Sequence, residues 1–421
     1  MMRNSLIVIV FLALLTSCSN DDVEAKSDAL EQQVTSIPVL CQPSKVASGI
    51  ETDEDETMGK VIHKQFEEGD KLFFSQNISE GRPNFTNPNE SPPLYVYEYK
   101  EAEEEERATW DDGYNFKCPN GMTPFDWNKA ASLGSVGNVF QFYAFHFPVD
   151  NKVRFNVEHD QTGGTDAPYD TGNFLKSDIL GAYHATSSLH TRMRFRLFHL
   201  MVYLKVTLYV PVYESKVSDQ MSPESDQMPP EYEYSGFDKG AVKGAFVMNA
   251  YTNFGINWNA KRSSDTEAPF VQSSGDKTNI KMYGHEADED ETTDLNVKEY
   301  YANSFIETDE VREYQFSVLF PPSDEYNDNN GKSNFLCFVL DTPENERKYY
   351  YFSTSQKVDG AEISFTQGTL QELKLYLLRG TNQTILIGAN ILPWKEAGTD
   401  MTLTEDKSAS EGGTENNDIW Q

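Results

Sequence analysis

The chain has 421 residues and sets 35 lysines and arginines against 67 aspartates and glutamates, a formal charge of -32. So acidic a surface repels nucleic acid and anionic lipid headgroups, which argues against polyanions as partners. Aromatic residues make up 13%, with 22 Tyr and 26 Phe, a supply that suits sheets better than helices.

The first element is an apolar run from Leu6 to Leu15 behind a basic Arg3. It has the length of a secretory h-region and falls short of the ~20 residues a membrane-spanning helix needs. Leu15-Thr16-Ser17-Cys18 follows directly and resembles the lipobox of bacterial lipoproteins. The resemblance implies a signal peptide over residues 1–17 and a diacylglycerol thioether on Cys18, the new N-terminus. One lipid chain is a marginal anchor, so acylation of the amine completes it. The acidic stretch Ser19-Asn20-Asp21-Asp22, with Glu24 and Asp28 beyond, is similar to the signal that sends such lipoproteins to the outer cell surface. Residues 18–60 read as a lipidated acidic tether with one short apolar stretch, VTSIPVL (Val34 to Leu40), predicted to be an isolated strand.

Beyond the tether, strand follows strand. KLFFSQ, LYVYEYK and VFQFYAFHFPV alternate with period two, and turn-rich stretches such as GRPNFTNPNESPP separate them. The longest run, RMRFRLFHLMVYLKVTLYVPVY, first turns Met193, Phe195 and Leu197 to one side, with Arg192, Arg194 and Arg196 opposite. From Leu200 the apolar parity becomes even, through Val202, Leu204, Val206, Leu208 and Val210. A strand cannot change its inward face without an extra residue, so a bulge, or a corner between two strands, is expected near Phe198-His199. Later strands are AVKGAFVMNAY, TNIKMYG, REYQFSVLF, NFLCFVL, RKYYYFS, LQELKLYLL and TILIGANILPW, parted by acidic loops. Apart from the signal peptide, no segment keeps a helical apolar period for a dozen residues. The fold class is all-β, with two β-sandwiches behind the tether as the expected architecture.

Catalytic signatures are missing. There is no Gly-x-Ser-x-Gly, no P-loop, no dinucleotide-binding glycine motif, and His285-Glu286 lacks the second histidine of a zincin. DEYNDNNG resembles a calcium loop until Gly331 is set in its sixth place, which puts Tyr326 where a carboxylate belongs. No catalytic residue, metal site or cofactor is assigned, and the chain is not read as an enzyme. With Cys18 given to lipid, Cys41, Cys118 and Cys337 are an odd set in an oxidising compartment, and their pairing stays open. His146 and His199, each within an apolar run, read as hydrogen-bonded core residues.

Several stretches in this order resemble the fimbrillin family of Bacteroidetes-type surface lipoproteins. They are FEEGDKLFF, FQFYAFHFP, Asp160-Gln161 followed by KSDILGA, RFRLFHLMVYLKV and the closing ILIGANILPW with Trp394. The family implies two transthyretin-like β-sandwich domains in tandem, expected over 61–182 and 183–405, with a flexible tail over 406–421. It also implies a structural and adhesive subunit of a fimbrium, assembled by β-strand addition with other subunits. VTSIPVL is the candidate removable first strand, and Lys45 and Lys60 are the candidate processing sites. Better-known members are cut after arginine, whereas the first arginine here after the signal is Arg82, inside the expected first domain. The expected place is the outer membrane, surface-exposed through Cys18, or a fimbrium, with host or bacterial surface ligands as further partners. A glycan-binding lipoprotein of a polysaccharide-uptake system is the alternative, and it would use exposed aromatic platforms.

Overall fold

The computed structural model describes residues 39–41, 44–51, 60–65, 68–87, 90–99, 114–148, 151–162, 173–189, 194–212, 236–260, 266–286, 292–302, 307–327, 334–343, 345–356, 363–378, 381–393 and 399–403. The first half holds β1 (Val39–Cys41), the paired strands β2 (Ser44–Glu51) and β3 (Lys60–Gln65), β4 (Lys71–Asn77), β5 (Leu94–Tyr99) and β6 (Tyr114–Lys117). Helix α1 (Trp127–Leu133), β7 (Phe140–His146), the one-turn helix α2 (Asn173–Lys176), β8 (Leu180–Thr186) and β9 (Arg194–His199) complete it. The second half runs through β10 (Val202–Pro211), β11 (Val242–Ile256), β12 (Thr266–Glu267), β13 (Val271–Lys281), β14 (Tyr283–Glu286), β15 (Thr293–Asn296) and α3 (Val297–Tyr300). It ends with β16 (Thr308–Phe320), β17 (Asn334–Asp341), β18 (Arg347–Ser353), β19 (Thr369–Leu377), β20 (Thr384–Pro393) and β21 (Thr399–Leu403). The protein is all-β.

A nine-stranded sheet has the order β12-β8-β7-β4-β5-β6-β1-β21-β9, and β9 also pairs with β8, so the sheet closes on itself. Leu72 and Phe74 of β4, Phe142 and Ala144 of β7, and Leu180 and Ala182 of β8 point into the enclosed core. Their odd-numbered neighbours Phe73, Tyr143, Phe145 and Tyr183 point outward into a second core. Burial on both faces explains why these strands carry aromatic residues at consecutive positions rather than a polar alternation. Each such side chain contributes roughly 1.5–3 kcal/mol by leaving water. Helix α1 adds Trp127 and Ala130 to the enclosed core; Asp126 caps its start by accepting the Asn128 N–H at 2.8 Å. Gln76 closes its other end, donating to the carbonyls of Ala130 (3.1 Å) and Gly134 (2.8 Å).

In the second half a six-stranded sheet, β14-β16-β10-β19-β20 with β15 also on β16, faces a four-stranded sheet, β13-β11-β17-β18. Leu204, Val206 and Leu208 of β10 pack with Leu336, Phe338 and Leu340 of β17 between them, and Phe316 meets Phe338 at 5.8 Å. This is the sandwich that the even-numbered run of β10 foretold. The change of parity is a corner: β9 ends at His199, β10 starts at Val202, and the chain passes from one sheet to the other between them. Phe195 and Leu197 accordingly face the enclosed core, while Leu200 to Val210 face the other. The domain junction expected after Ala182 falls within β8, and β12 and β21 of the second half belong to the nine-stranded sheet.

The two halves are tied along a seam. Residues 155–161 run beside the second half's strands: Val157 N–H donates to Thr252 O (2.8 Å), Phe254 N–H to Phe155 O (3.0 Å) and Lys281 N–H to His159 O (2.8 Å). The Gln161 amide, fully buried, donates to Leu319 O (2.6 Å) and accepts Leu319 N–H (2.9 Å). Trp258 stacks on Phe85 at 6.0 Å and meets Tyr143 edge-on at 4.8 Å.

Candidate functional site

The short strand β1 lies in the nine-stranded sheet with a neighbour on each side. Val39, Leu40 and Cys41 pair antiparallel with Phe116, Asn115 and Tyr114 of β6, and Val39 and Leu40 with Leu403 and Thr402 of β21. β21 in turn pairs with β9 through Thr399↔Leu197, Asp400↔Arg196, Met401↔Phe195 and Thr402↔Arg194. The sheet is therefore completed at this point by two short segments, one from each end of the described chain.

Beneath them is the aromatic core. Phe116 is fully buried, with its ring 5.7 Å from Tyr99; Phe195 is fully buried, 5.8 Å from Phe74. Phe74 also stacks on Tyr95 at 5.0 Å, and Phe125 meets Tyr95 edge-on at 5.2 Å. The Tyr97 hydroxyl accepts the Phe125 N–H at 3.1 Å, and burial pushes its pKa well above the ordinary tyrosine value. β1 contributes three residues of ladder to this wall. Each hydrogen bond contributes roughly 1 kcal/mol net, against about 1–2 kcal/mol to order each residue's backbone. So short a strand is close to balance, and a longer strand in the same place would be held better.

Lys45 and Lys60 both lie in the paired strands that follow. Lys45 is within β2, opposite Lys64, and Lys60 is the first residue of β3, opposite Glu51. Both are therefore paired along the backbone. Cys18, Val34 to Pro38 of VTSIPVL, and Trp394 lie outside the described residues. Cys118 and Cys337 are free thiols, and the side chain of Cys41 is outside the described set.

Of the motif residues beyond the first strand, Asp160 and Gln161 lie at the seam. The Asp160 carboxylate accepts the Thr162 N–H (3.0 Å), which with the Thr162 hydroxyl and Lys281 holds its pKa below the carboxylate norm despite partial desolvation. Ser177 Oγ donates to Asn173 O (2.9 Å) and accepts Glu158 N–H (3.0 Å). His199 Nδ1 meets Asp178 Oδ1 at 2.6 Å with both side chains buried, at the corner where the chain changes sheets. His146 Nδ1 lies 2.9 Å from Lys71 O. Both histidines are hydrogen-bonded core residues, as expected from their apolar runs. Tyr326, which spoiled the calcium loop, is itself a core residue, its hydroxyl accepting Tyr251 N–H at 2.9 Å. Among the described residues there is no group of three or more His, Cys, Asp or Glu side chains placed to hold a metal ion. The place of β21 beside β1 has no local signal in the sequence, because the two strands come from opposite ends of the chain.

No family model and no curated protein matches the sequence. Solved structures that resemble it include a candidate cell adhesion protein of Bacteroides uniformis, 11% identical, with TM-score 0.36 over 85% of this chain and 98% of that one. The tip fimbrial protein Mfa3 of Porphyromonas gingivalis is 8% identical, with TM-score 0.33 over 85% of this chain and 100% of that one. The fimbrial anchor protein Mfa2 of the same organism is 6% identical, with TM-score 0.31 over 84% and 97%.

Proposed function

We propose that the protein is a structural subunit of a surface fimbrium, as stalk, anchor or accessory component, joined to its neighbours by β-strand addition and contributing to adhesion. Before assembly it is held at the outer membrane by lipid on Cys18. The observation that carries this reading is the place of β1: three residues, paired on both sides, over a wall of buried aromatics. Loss of β1 leaves β6 and β21 with unpaired edges and uncovers the core near Phe116. A strand from another subunit satisfies both edges at once. A cut after either Lys45 or Lys60 detaches β1, because both follow it in the chain. Lys60, at the head of its strand, is the easier of the two, since strand ends open more readily than strand interiors.

Limited trypsin digestion of the folded lipoprotein tests the proposal. Cleavage at Lys60, or at Lys45, should leave a folded core that forms SDS-resistant oligomers on standing, while the uncut protein stays monomeric. A trimmed core that remains monomeric at high concentration removes self-polymerisation and leaves at most an anchor role. Retardation of that monomer on a polysaccharide affinity gel would give the lead to glycan binding.

A further inference from the structure

A protein that assembles by strand addition has to offer one strand position and close the others. Two edges of the second half, at β20 and β13, are closed in an unusual way, by side-chain amides. At β20, the Gln356 Nε2 donates to Thr384 O (2.7 Å), and Leu386 N–H donates to the Gln356 Oε1 (2.8 Å). At the start of β13, Gln367 Nε2 donates to Pro269 O (2.7 Å), and Val271 N–H donates to its Oε1 (2.9 Å). In both cases one amide takes the carbonyl of residue i and the N–H of residue i+2, as the N–H and C=O of a single residue in a neighbouring parallel strand would. At β18, Tyr351 N–H donates to Asn382 O (3.1 Å), and the Thr384 hydroxyl donates to Tyr351 O (3.2 Å).

Of these edges β20 is the most hazardous. It ends the six-stranded sheet, runs for ten residues as TILIGANILP, and carries no charge. An uncharged apolar edge of that length is a template for a second copy of the same strand. Past Leu386 a register shift interrupts the ladder, the Gln371 amide donates to Asn390 O at 2.9 Å, and Pro393 ends the strand. Gln356 covers the stretch before the shift, where the edge is otherwise regular. Glutamine suits the task because it offers donor and acceptor together and, unlike lysine, buries no charge where it is half-covered.

We infer that Gln356 is an edge guard: it occupies the β20 edge that a second copy of this chain would otherwise pair with, and so confines strand addition to the position of β1. The inference rests on the strand-addition reading for its purpose, but the guard itself is testable on the uncut protein. Gln356→Met keeps the length and removes both hydrogen bonds. The uncut variant should associate at about tenfold lower concentration than the parent by light scattering, and Leu386 N–H should exchange about fivefold faster in the monomer. Gln356→Glu keeps an acceptor for Leu386 N–H and adds a charge that itself deters pairing, so it should stay monomeric. A Gln356→Met protein that stays monomeric at every concentration overturns the guard; so does equal association of both variants, which would mean general loosening. Should Gln356→Met fail to fold, exchange in the parent decides. Leu386 N–H protected like a ladder amide supports the guard, and free exchange there overturns it. Failure of the trimmed parent to polymerise would sink the strand-addition reading and leave these results on uncut protein unchanged.

Discussion

At the scale of single residues, the chain meets the demands of close packing with side chains that defeat simple reading. Gly181 in β8 is required by its neighbours: a Cβ there would sit 2.8 Å from Leu200 Cδ1 and 3.0 Å from Phe145 Cε1. The glycine lets the nine-stranded sheet press against the first residue of the corner. Cys337 shows a different constraint. It lies in β17, buried, and desolvation pushes its thiol up to about 11, against which a hydrogen bond from Tyr351 works weakly. The folded state thus favours the protonated thiol more than the unfolded state does. Its contribution is complete below the unfolded thiol's pKa near 9 and is lost as pH rises through the folded value. Denaturant midpoints should therefore fall as pH rises from about 9 to about 11, and Cys337→Val should flatten that fall. An equal slope in the variant would show that the buried tyrosines, which titrate higher, account for the loss instead.

At the scale of elements, the proposed exchange depends on β1 being replaceable by any strand of matching pattern. A synthetic peptide with the sequence of Val34 to Cys41 should bind the trimmed protein and slow its oligomerisation, whereas a scrambled peptide of equal composition should not. Equal effects from both would show that the vacated place has no sequence preference and is not a strand site. The elements differ in how legible they were. β10 announced itself, and its reversed parity pointed to the corner at His199, because one face of the run was apolar and the other was not. β4, β7, β16, β17 and β20 were equally plain. β8, LGAYHAT, is hard to read because close approach demands glycine at 181, which interrupts its apolar pattern. Most of β13 is illegible for the opposite reason: Ser274 to Asn279 is exposed on both faces, so nothing in its pattern records a core. The candidate site was half legible. Val39 and Leu40, the end of VTSIPVL, fall in β1, but β6 is too short to stand out, and β21 meets β1 only through the completed fold.

At the scale of the whole molecule, two sandwiches in tandem suggest two independent units, and the packing says otherwise. One core contains Phe73, Tyr143 and Phe145 from the closed sheet and Phe85 from the β4–β5 connection, together with Phe254, Leu204, Phe316 and Phe338 from the other two sheets. Trp258 lies against it from the second half, touching Phe85, Tyr143 and Phe145. Backbone ladders along residues 155–161, the Gln161 fork on Leu319, and the crossing strand β12 on β8 add polar ties across the same seam. Shared burial also makes the halves fold together: separating them exposes aromatic surface on both, so neither gains by staying folded alone. Calorimetry of the uncut protein should accordingly show one transition, with equal calorimetric and van't Hoff enthalpies. Trp258→Ala should lower the stability of that single transition by roughly 3 kcal/mol, since it removes an aromatic wedge from both halves at once. Two resolved transitions in the parent would mean that the seam is an ordinary interface between domains. A single transition that splits only in Trp258→Ala would place the coupling in this aromatic contact rather than in the backbone ladders beside it.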